Sequence, residues 1–132
     1  MRATANACHI AVPARDLDEA VVFYADGLGA RLARRYDDRV TFDFFGDQVV
    51  CHLSDEVADA PLPYPHHFGL SFADGADFDR MVNTIHEHSL PVLSDVSVRF
   101  DGTPARHRTI FLADPSNNVI EFKHYDDPRQ QY

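Results

Sequence analysis

Two stretches of the sequence resemble each other, and both carry residues that can bind a metal at the same place. HIAVPARDLDEAVVFY begins at His9, and HFGLSFADGADFDRMV begins at His67. The two halves also end alike, with His52 in the apolar run DQVVCHL and Glu121 in the apolar run SNNVIEF. Because the copies of a repeated unit pack together around a shared core, residues at equivalent positions tend to converge. The repeat therefore predicts that His9, His52, His67 and Glu121 come together.

Imidazole nitrogens with one carboxylate suit Fe(II), Mn(II), Zn(II), Ni(II) or Co(II). Two histidines and one carboxylate with open positions form the facial triad of non-haem iron oxygenases. Glu121 lies between apolar neighbours, and a buried carboxylate is costly unless it is paired or bound to a metal. A single histidine in an apolar strand is more often a hydrogen-bonded core or surface residue, so the repeat is what favours a metal site.

The composition favours one globular domain and excludes some partners. The chain has 132 residues, 45% of them hydrophobic, and a formal net charge of -9. That charge repels phosphate backbones and anionic lipid, so we expect neither nucleic acid nor a membrane as a partner. No apolar run approaches the roughly 20 residues that span a bilayer. The first apolar stretch is broken by Asn6 and His9, which favours a mature cytoplasmic protein over an exported one.

The two cysteines, Cys8 and Cys51, each precede a candidate ligand. Since side chains alternate along a strand, we expect both to point away from His9 and His52. The favoured interpretation is a pair of buried free thiols in a reducing compartment, and a disulfide is the alternative.

Apolar periodicity and turn residues give the order of elements. The first half reads as a strand at 6 to 12 ended by Pro13, a helix capped by Asp16 and stopped by Gly27 and Gly29, and strands near 30 to 37, 40 to 45 and 48 to 54. The second half reads as a strand at 66 to 73, a helix near 75 to 88, and strands near 92 to 100, 107 to 113 and 118 to 124. Residues 55 to 65 contain three prolines and suit a linker. The sequence predicts an α+β fold of two βαβββ modules, one about 5 to 54 and the other about 66 to 125, in a single domain over 1 to 132.

Alternation in the last strand places Glu121, Lys123 and Tyr125 on one face and Phe122 and His124 on the other. Three cationic side chains near the ends of the predicted strands, Arg106, Arg108 and Lys123, are candidates to hold a substrate carboxylate. A solvated strand edge is the favoured interpretation for each of them.

Three stretches carry a family resemblance that spans nearly the whole chain: HIAVPARDLDEAVVFYADGLGARL, HHFGLSF and TIFLADPSNNVIEF. They resemble the vicinal oxygen chelate superfamily, which includes glyoxalase I, extradiol dioxygenases, methylmalonyl-CoA epimerase and antibiotic-resistance proteins. Small single-domain proteins regarded as extradiol dioxygenases look closest. The resemblance implies a cupped mixed β-sheet around one divalent ion held by His9, His67 and Glu121, with His52 in the remaining ligand place. It also implies a homodimer.

The resemblance leaves the chemistry open between three readings. A glyoxalase I has a glutamate at the place assigned to His52, and extradiol enzymes use only three ligands, so His52 either binds the metal or acts as an acid or base. His107 and Tyr125 resemble the histidine and tyrosine that assist ring cleavage. The leading hypothesis is an Fe(II) dioxygenase that cleaves a small catecholic ring. The alternatives are a glyoxalase-like lyase or isomerase acting through a metal-chelated enediolate, and a resistance-type protein that binds a small molecule.

Overall fold

The computed structural model describes residues 3–132 and contains two four-stranded mixed sheets. The elements are β1 His9–Ala14, α1 Leu17–Val21, β2 Arg31–Arg35, β3 Arg39–Phe44, β4 Asp47–Leu53, β5 Phe68–Phe72, α2 Gly75–Glu87, β6 Val92–Arg99, β7 His107–Ala113 and β8 Val119–Tyr125. Sheet A has the order β1-β4-β3-β2 and sheet B the order β5-β8-β7-β6. Strand β1 runs parallel to β4, and β5 runs parallel to β8. The other neighbouring strands are antiparallel. The α+β fold of two βαβββ units is confirmed.

The first strand runs further than its sequence predicts. Pro13 lies inside β1, opposite His52 of β4, and does not end the strand. A proline is tolerated there because β1 is an edge strand, so its missing N–H leaves no second neighbour unpaired. The Pro13 carbonyl instead accepts a hydrogen bond of 2.8 Å from the side chain of Asn118 in the other half.

The first helix is capped as predicted but changes its winding. The Asp16 carboxylate accepts hydrogen bonds from the backbone N–H groups of Asp18 at 2.7 Å and Glu19 at 3.1 Å. After α1 the chain continues as a π-helical segment over Val22–Gly27, which buries Phe23 and Tyr24. The spacing of apolar residues did not predict this change.

The second helix begins after Asp74, whose carboxylate accepts a hydrogen bond of 2.8 Å from the Ala76 N–H. Its apolar stripe of Phe78, Met81 and Ile85 is buried. These side chains belong to one core cluster with residues of both sheets, so both halves share a core.

Specific contacts join the two halves through that core. The Phe44 ring of sheet A lies 6.0 Å from Phe68 and 6.1 Å from Phe122 of sheet B, measured between ring centroids. The Arg15 N–H donates to the Ser116 hydroxyl at 2.8 Å. Residues 54 to 67, which connect the sheets, contain no helix or strand.

The two faces of each sheet differ as alternation predicts. Ile120 and Phe122 of β8 lie in the core, while Glu121 and Lys123 lie on the other face. Cys51 is also buried in the core, but Cys8 precedes β1 and is exposed, so the predicted burial of Cys8 is wrong. Among residues 3 to 132, no helix is long and apolar enough to cross a membrane.

Candidate metal centre

His67 and Glu121 form the centre of the candidate site. His67 immediately precedes β5, and Glu121 lies in the middle of β8, the parallel neighbour of β5. The two side chains meet with His67 Nε2 3.1 Å from Glu121 Oε2. Glu121 is only 8% exposed. A buried carboxylate therefore has an imidazole nitrogen directed at it, as the cost of its burial requires.

A second contact of His67 determines whether its Nε2 nitrogen is a hydrogen-bond donor or an acceptor. Its Nδ1 lies 2.6 Å from the backbone carbonyl oxygen of Pro63. Because a carbonyl oxygen only accepts, Nδ1 carries the hydrogen, and in the neutral ring Nε2 then presents a lone pair to Glu121. Two electron donors facing each other need a cation between them or a second ring proton. A histidine whose Nδ1–H is held by a backbone carbonyl is also typical of metal ligands.

The carboxylate of Glu121 is held on both oxygens. The Thr109 hydroxyl donates to Oε1 at 2.6 Å, and Lys123 Nζ lies 3.3 Å from Oε2. Thr109 is 2% exposed, so this hydrogen bond is sheltered from water. The orientation of the carboxylate is therefore fixed by a neighbouring strand before any ligand arrives.

His9 repeats the arrangement of His67 in sheet A. Its Nδ1 donates a short hydrogen bond to the side-chain oxygen of Gln48, which again leaves Nε2 free. His9 is exposed. Within the described part of the chain, no group of three or more His, Cys, Asp or Glu residues is placed to hold a metal ion. One chain therefore brings together His67 and Glu121 but not His9.

The strand register changes the interpretation of His52. In sheet B, Glu121 pairs with Gly69, two residues after His67. The same step from His9 leads to Ala11, which pairs with Val50. Val50 is therefore the equivalent of Glu121, and the predicted equivalence of His52 is wrong. His52 lies at the position that corresponds to Lys123, about 13 Å along β4 from Gln48.

The error has a simple origin in the turns. Two residues separate β3 from β4, whereas five separate β7 from β8. Counting residues from the turn therefore misaligns β4 with β8. Their hydrogen-bonded pairing with β1 and β5 gives the correct alignment.

His107 and Tyr125 lie on the same face of sheet B as Glu121, at its far end. They are register partners on β7 and β8, with ring centroids 4.6 Å apart. His107 is 7% exposed, and its Nδ1 donates to the Ala105 carbonyl at 3.0 Å. Tyr125 is four residues from Glu121, about 13 Å along the strand. The two side chains therefore contact each other on the sheet face that carries the carboxylate.

Only one of the three candidate carboxylate-binding cations lies on this face. Arg108 points to the helix side, where it binds Asp79 of α2 at 2.6 Å and lies 4.8 Å above the Phe78 ring. Arg106 is held by Asp101 and Asp126, which raise the pKa of its guanidinium. Both arginines are therefore already paired with protein carboxylates, Arg108 on the helix side of β7 and Arg106 immediately before β7.

A cavity of about 340 Å³ adjoins Glu121 and involves residues that sequence reasoning missed. Its lining includes Gly69, Ser71, Lys123 and Tyr132. Gly69 is required here because a Cβ atom would lie 1.7 Å from the Glu121 carbonyl oxygen. The sequence did not reveal Gly69 and Ser71 because only the pairing of β5 with β8 shows that they lie opposite Glu121 and Lys123.

The comparisons with known proteins agree with this architecture. Residues 7–122 match the family model described as Glyoxalase/Bleomycin resistance protein/Dioxygenase superfamily. The chain is 51% identical to a glyoxalase/bleomycin resistance protein/dioxygenase from Alicyclobacillus acidocaldarius, with a TM-score of 0.97 and full coverage of both chains.

More distant solved structures share the fold. Fosfomycin resistance protein FosX from Listeria monocytogenes is 15% identical, with a TM-score of 0.73 over 95% of this chain and 97% of its own. A lactoylglutathione lyase from Agrobacterium tumefaciens is 23% identical, with a TM-score of 0.67 over 90% and 92% of the two chains. A comparison with curated proteins gives no significant match. The match over residues 7–122 and the shared fold establish that the chain belongs to the glyoxalase/bleomycin resistance protein/dioxygenase superfamily, the vicinal oxygen chelate proteins.

Proposed function

We propose that this protein is a divalent-metal-dependent enzyme whose ion is held by His67, Glu121 and His9. The observation that carries the proposal is the 3.1 Å approach of His67 Nε2 to Glu121 Oε2 while Nδ1 is committed to Pro63. This donor pair fits a cation, and His9 offers the same free Nε2. Members of the superfamily commonly use divalent metals, which agrees with this donor set.

The proposal includes a homodimer in which sheet A of one chain closes over sheet B of its partner. His9 is exposed, and the described residues of one chain provide only two of the three ligands. A second copy supplies the third without any rearrangement within the chain. Each dimer would then hold two equivalent ions.

The register favours dioxygenase chemistry over lyase chemistry. At the position equivalent to Glu121 stands Val50, an apolar residue that cannot bind metal or move a proton. The donor set is therefore two histidines and one carboxylate, which leaves positions open for two substrate oxygens and O2. A second carboxylate base for enediolate formation is absent from this position. We therefore propose an extradiol-type dioxygenase that cleaves a small catecholic ring, with Fe(II) favoured over Zn(II), Ni(II), Co(II) or Mn(II).

When bound, the ion would act as a Lewis acid and as a template for vicinal oxygens. His107 has Nδ1–H bound to Ala105, which leaves its Nε2 as a candidate proton acceptor about 13 Å along the strands from Glu121. Tyr125 beside it offers a hydroxyl for hydrogen bonding on the same face. His52, two positions beyond Val50 on β4, is the second candidate for proton transfer, at the edge of the site.

Metal analysis and oxygen uptake test the function together. Wild-type protein purified anaerobically should contain about one ion per chain, and Glu121→Ala should contain almost none. Glu87→Ala, which removes an exposed carboxylate from α2, is the matched control. Fe(II)-loaded protein should consume O2 with at least one member of a catechol panel. Turnover only of 2-oxoaldehyde and thiol mixtures with Zn(II), Ni(II) or Co(II) would replace the dioxygenase by a lyase.

A mixed dimer tests whether the site is shared between chains. His9→Ala and Glu121→Ala homodimers should both lack metal. Co-expressed with different affinity tags and purified as a heterodimer, they should recover one ion per dimer, because one of the two sites then has all three ligands. A heterodimer without metal would show that all ligands come from one chain.

A further inference from the structure

Lys123 is unusual in both its type and its position. It is the only lysine in the sequence, and the other residues among the 12 lysines and arginines are all arginines. It lies on β8 two residues after Glu121, and its Nζ is 3.3 Å from Glu121 Oε2. Its side chain is partly buried, with 30% exposed. A flexible ammonium is therefore placed at the inner edge of the candidate metal site.

Ser71 lies directly opposite Lys123, since the two are register partners on β5 and β8. The Ser71 hydroxyl oxygen is shielded from solvent and has no hydrogen-bond partner among the described residues. Buried hydroxyl groups nearly always have a partner, so one without a protein partner indicates a group that the protein itself does not supply.

Both side chains line the 340 Å³ cavity that also borders His67 and Glu121. Gly69 stands between His67 and Ser71 on β5 and also lines this cavity, and a Cβ atom there would clash with the Glu121 backbone. Four residues separate His67 from Ser71 along β5, about 13 Å, and two residues separate Glu121 from Lys123 along β8, which is about 7 Å. That separation matches the distance across a substituted benzene ring.

We propose that Ser71 and Lys123 bind a carboxylate on the substrate, so that the substrate class is a catechol with a carboxylate across the ring from its hydroxyl groups. The proposal rests on the proposed function. A cation held by His67 and Glu121 takes over the neutralisation of the carboxylate of Glu121, and its charge repels the ammonium. Lys123 is then available to an anionic group beside Ser71, which donates its hydroxyl hydrogen to the same group.

The single lysine allows a direct measurement of binding. Protein labelled with ¹³C-lysine gives the NMR signals of Lys123 alone. Zn(II)-loaded dimer is titrated with 3,4-dihydroxybenzoate and with the neutral 3,4-dihydroxybenzamide, and the same titrations are run on metal-free protein. The carboxylate should shift the Lys123 signals and bind about tenfold or more tightly than the amide.

Variants separate the role of charge from that of folding. Lys123→Met should abolish the preference for the carboxylate, Lys123→Arg should retain most of it, and Ser71→Ala should weaken it about fivefold. Arg80→Met removes one positive charge from the exposed face of α2 and should leave the preference intact.

The outcomes distinguish this inference from the proposed function. Equal affinity for the acid and the amide, or carboxylate binding that leaves the Lys123 signals unmoved, would overturn the inference. A wild-type protein that binds no metal but still prefers the carboxylate would support the anion site and overturn the metal-dependent function. Turnover of neutral catechols alone, with normal metal content, would support the function and overturn the inference.

Discussion

The hydroxyl of Tyr24 donates a hydrogen bond of 2.8 Å to Asp114 Oδ2 and thereby joins the first helical segment to the turn before β8. Both side chains are buried. The same carboxylate accepts hydrogen bonds from the Asn118 side chain at 2.7 Å and from the backbone N–H groups of Ser116 and Asn118 at 2.8 and 2.9 Å. Burial, with the charge of Asp114, raises the pKa of Tyr24 well above its ordinary value, so Tyr24 stays a neutral donor.

Tyr24→Phe should reduce the free energy of unfolding by about 1 to 3 kcal/mol, because it leaves a buried carboxylate with one donor fewer. Urea unfolding measures this change. Tyr36→Phe is the matched control, since Tyr36 is partly exposed and contacts Arg39 through its ring and not its hydroxyl group. The control should lose less than about 0.5 kcal/mol. Equal losses in the two variants would contradict the structural role of the Tyr24 hydroxyl.

Asp114 should give the protein an unusual pH dependence. Burial raises the pKa of this carboxyl in the folded state despite its four hydrogen-bond donors. A group whose folded pKa is raised adds stability below its unfolded pKa, about 3.9, and loses that contribution as pH rises through the folded pKa. Wild type should therefore gain stability relative to Asp114→Asn as pH falls from neutral through this range. Unfolding curves at several pH values measure the difference, and parallel pH profiles would contradict it.

The sequence predicted local elements well because their signals are local. The Asp16 cap, the alternation in β8 and the second helix near 75 to 88 each depend on residues within a few positions. Tyr24 lies on the buried side of the first helical segment. Its bond to Asp114 spans 90 residues in sequence, and no periodicity encodes such a partner.

The candidate site was predictable only where the repeat was unambiguous. His9 and His67 each begin a module, His9 as the first residue of β1 and His67 immediately before β5. His52 was misplaced because turn lengths differ between the halves, and register is a property of paired strands that one strand does not reveal. The predicted ligand roles of His9, His67 and Glu121 remain predictions.

The two thiols should differ sharply in reactivity. Burial raises the pKa of Cys51 to about 12, so almost none of it is thiolate at pH 8, whereas Cys8 is exposed. A disulfide exchange reagent should therefore modify one thiol per chain in native protein and two after unfolding. Cys8→Ser should remove the native reaction. Rapid reaction of the Cys8→Ser variant would show that Cys51 is not shielded.

Gly69→Ala should damage both stability and metal binding. The added Cβ would lie 1.7 Å from the Glu121 carbonyl oxygen, so β5 has to move away from β8. We expect a loss of about 3 kcal/mol or more in the free energy of unfolding. Gly75→Ala is the control, because its Cβ would meet only side-chain atoms, the end of Arg108 at 3.2 Å and the His124 ring at 3.3 Å, and lies in the first turn of α2. A Gly69→Ala protein with wild-type thermal stability and metal content would contradict the close packing of these strands.

Thr109→Val should weaken metal binding without removing a proposed ligand. The Thr109 hydroxyl donates to Glu121 Oε1 at 2.6 Å and fixes the direction of Oε2 toward His67. Loss of such a supporting hydrogen bond typically lowers metal affinity 10- to 100-fold.

The matched control for this last change is Thr84→Val. Thr84 also donates a hydroxyl hydrogen bond, at 3.0 Å to the Arg80 carbonyl within α2, far from Glu121 in the fold. Competition with a chelating dye for Zn(II) measures both affinities, and circular dichroism checks that both variants fold. Because Thr109 donates to the Glu121 carboxylate and Thr84 does not, only the Thr109 variant should lose affinity. Unchanged affinity in Thr109→Val, beside a folded spectrum, would show that Glu121 does not bind the ion through a carboxylate oriented by Thr109.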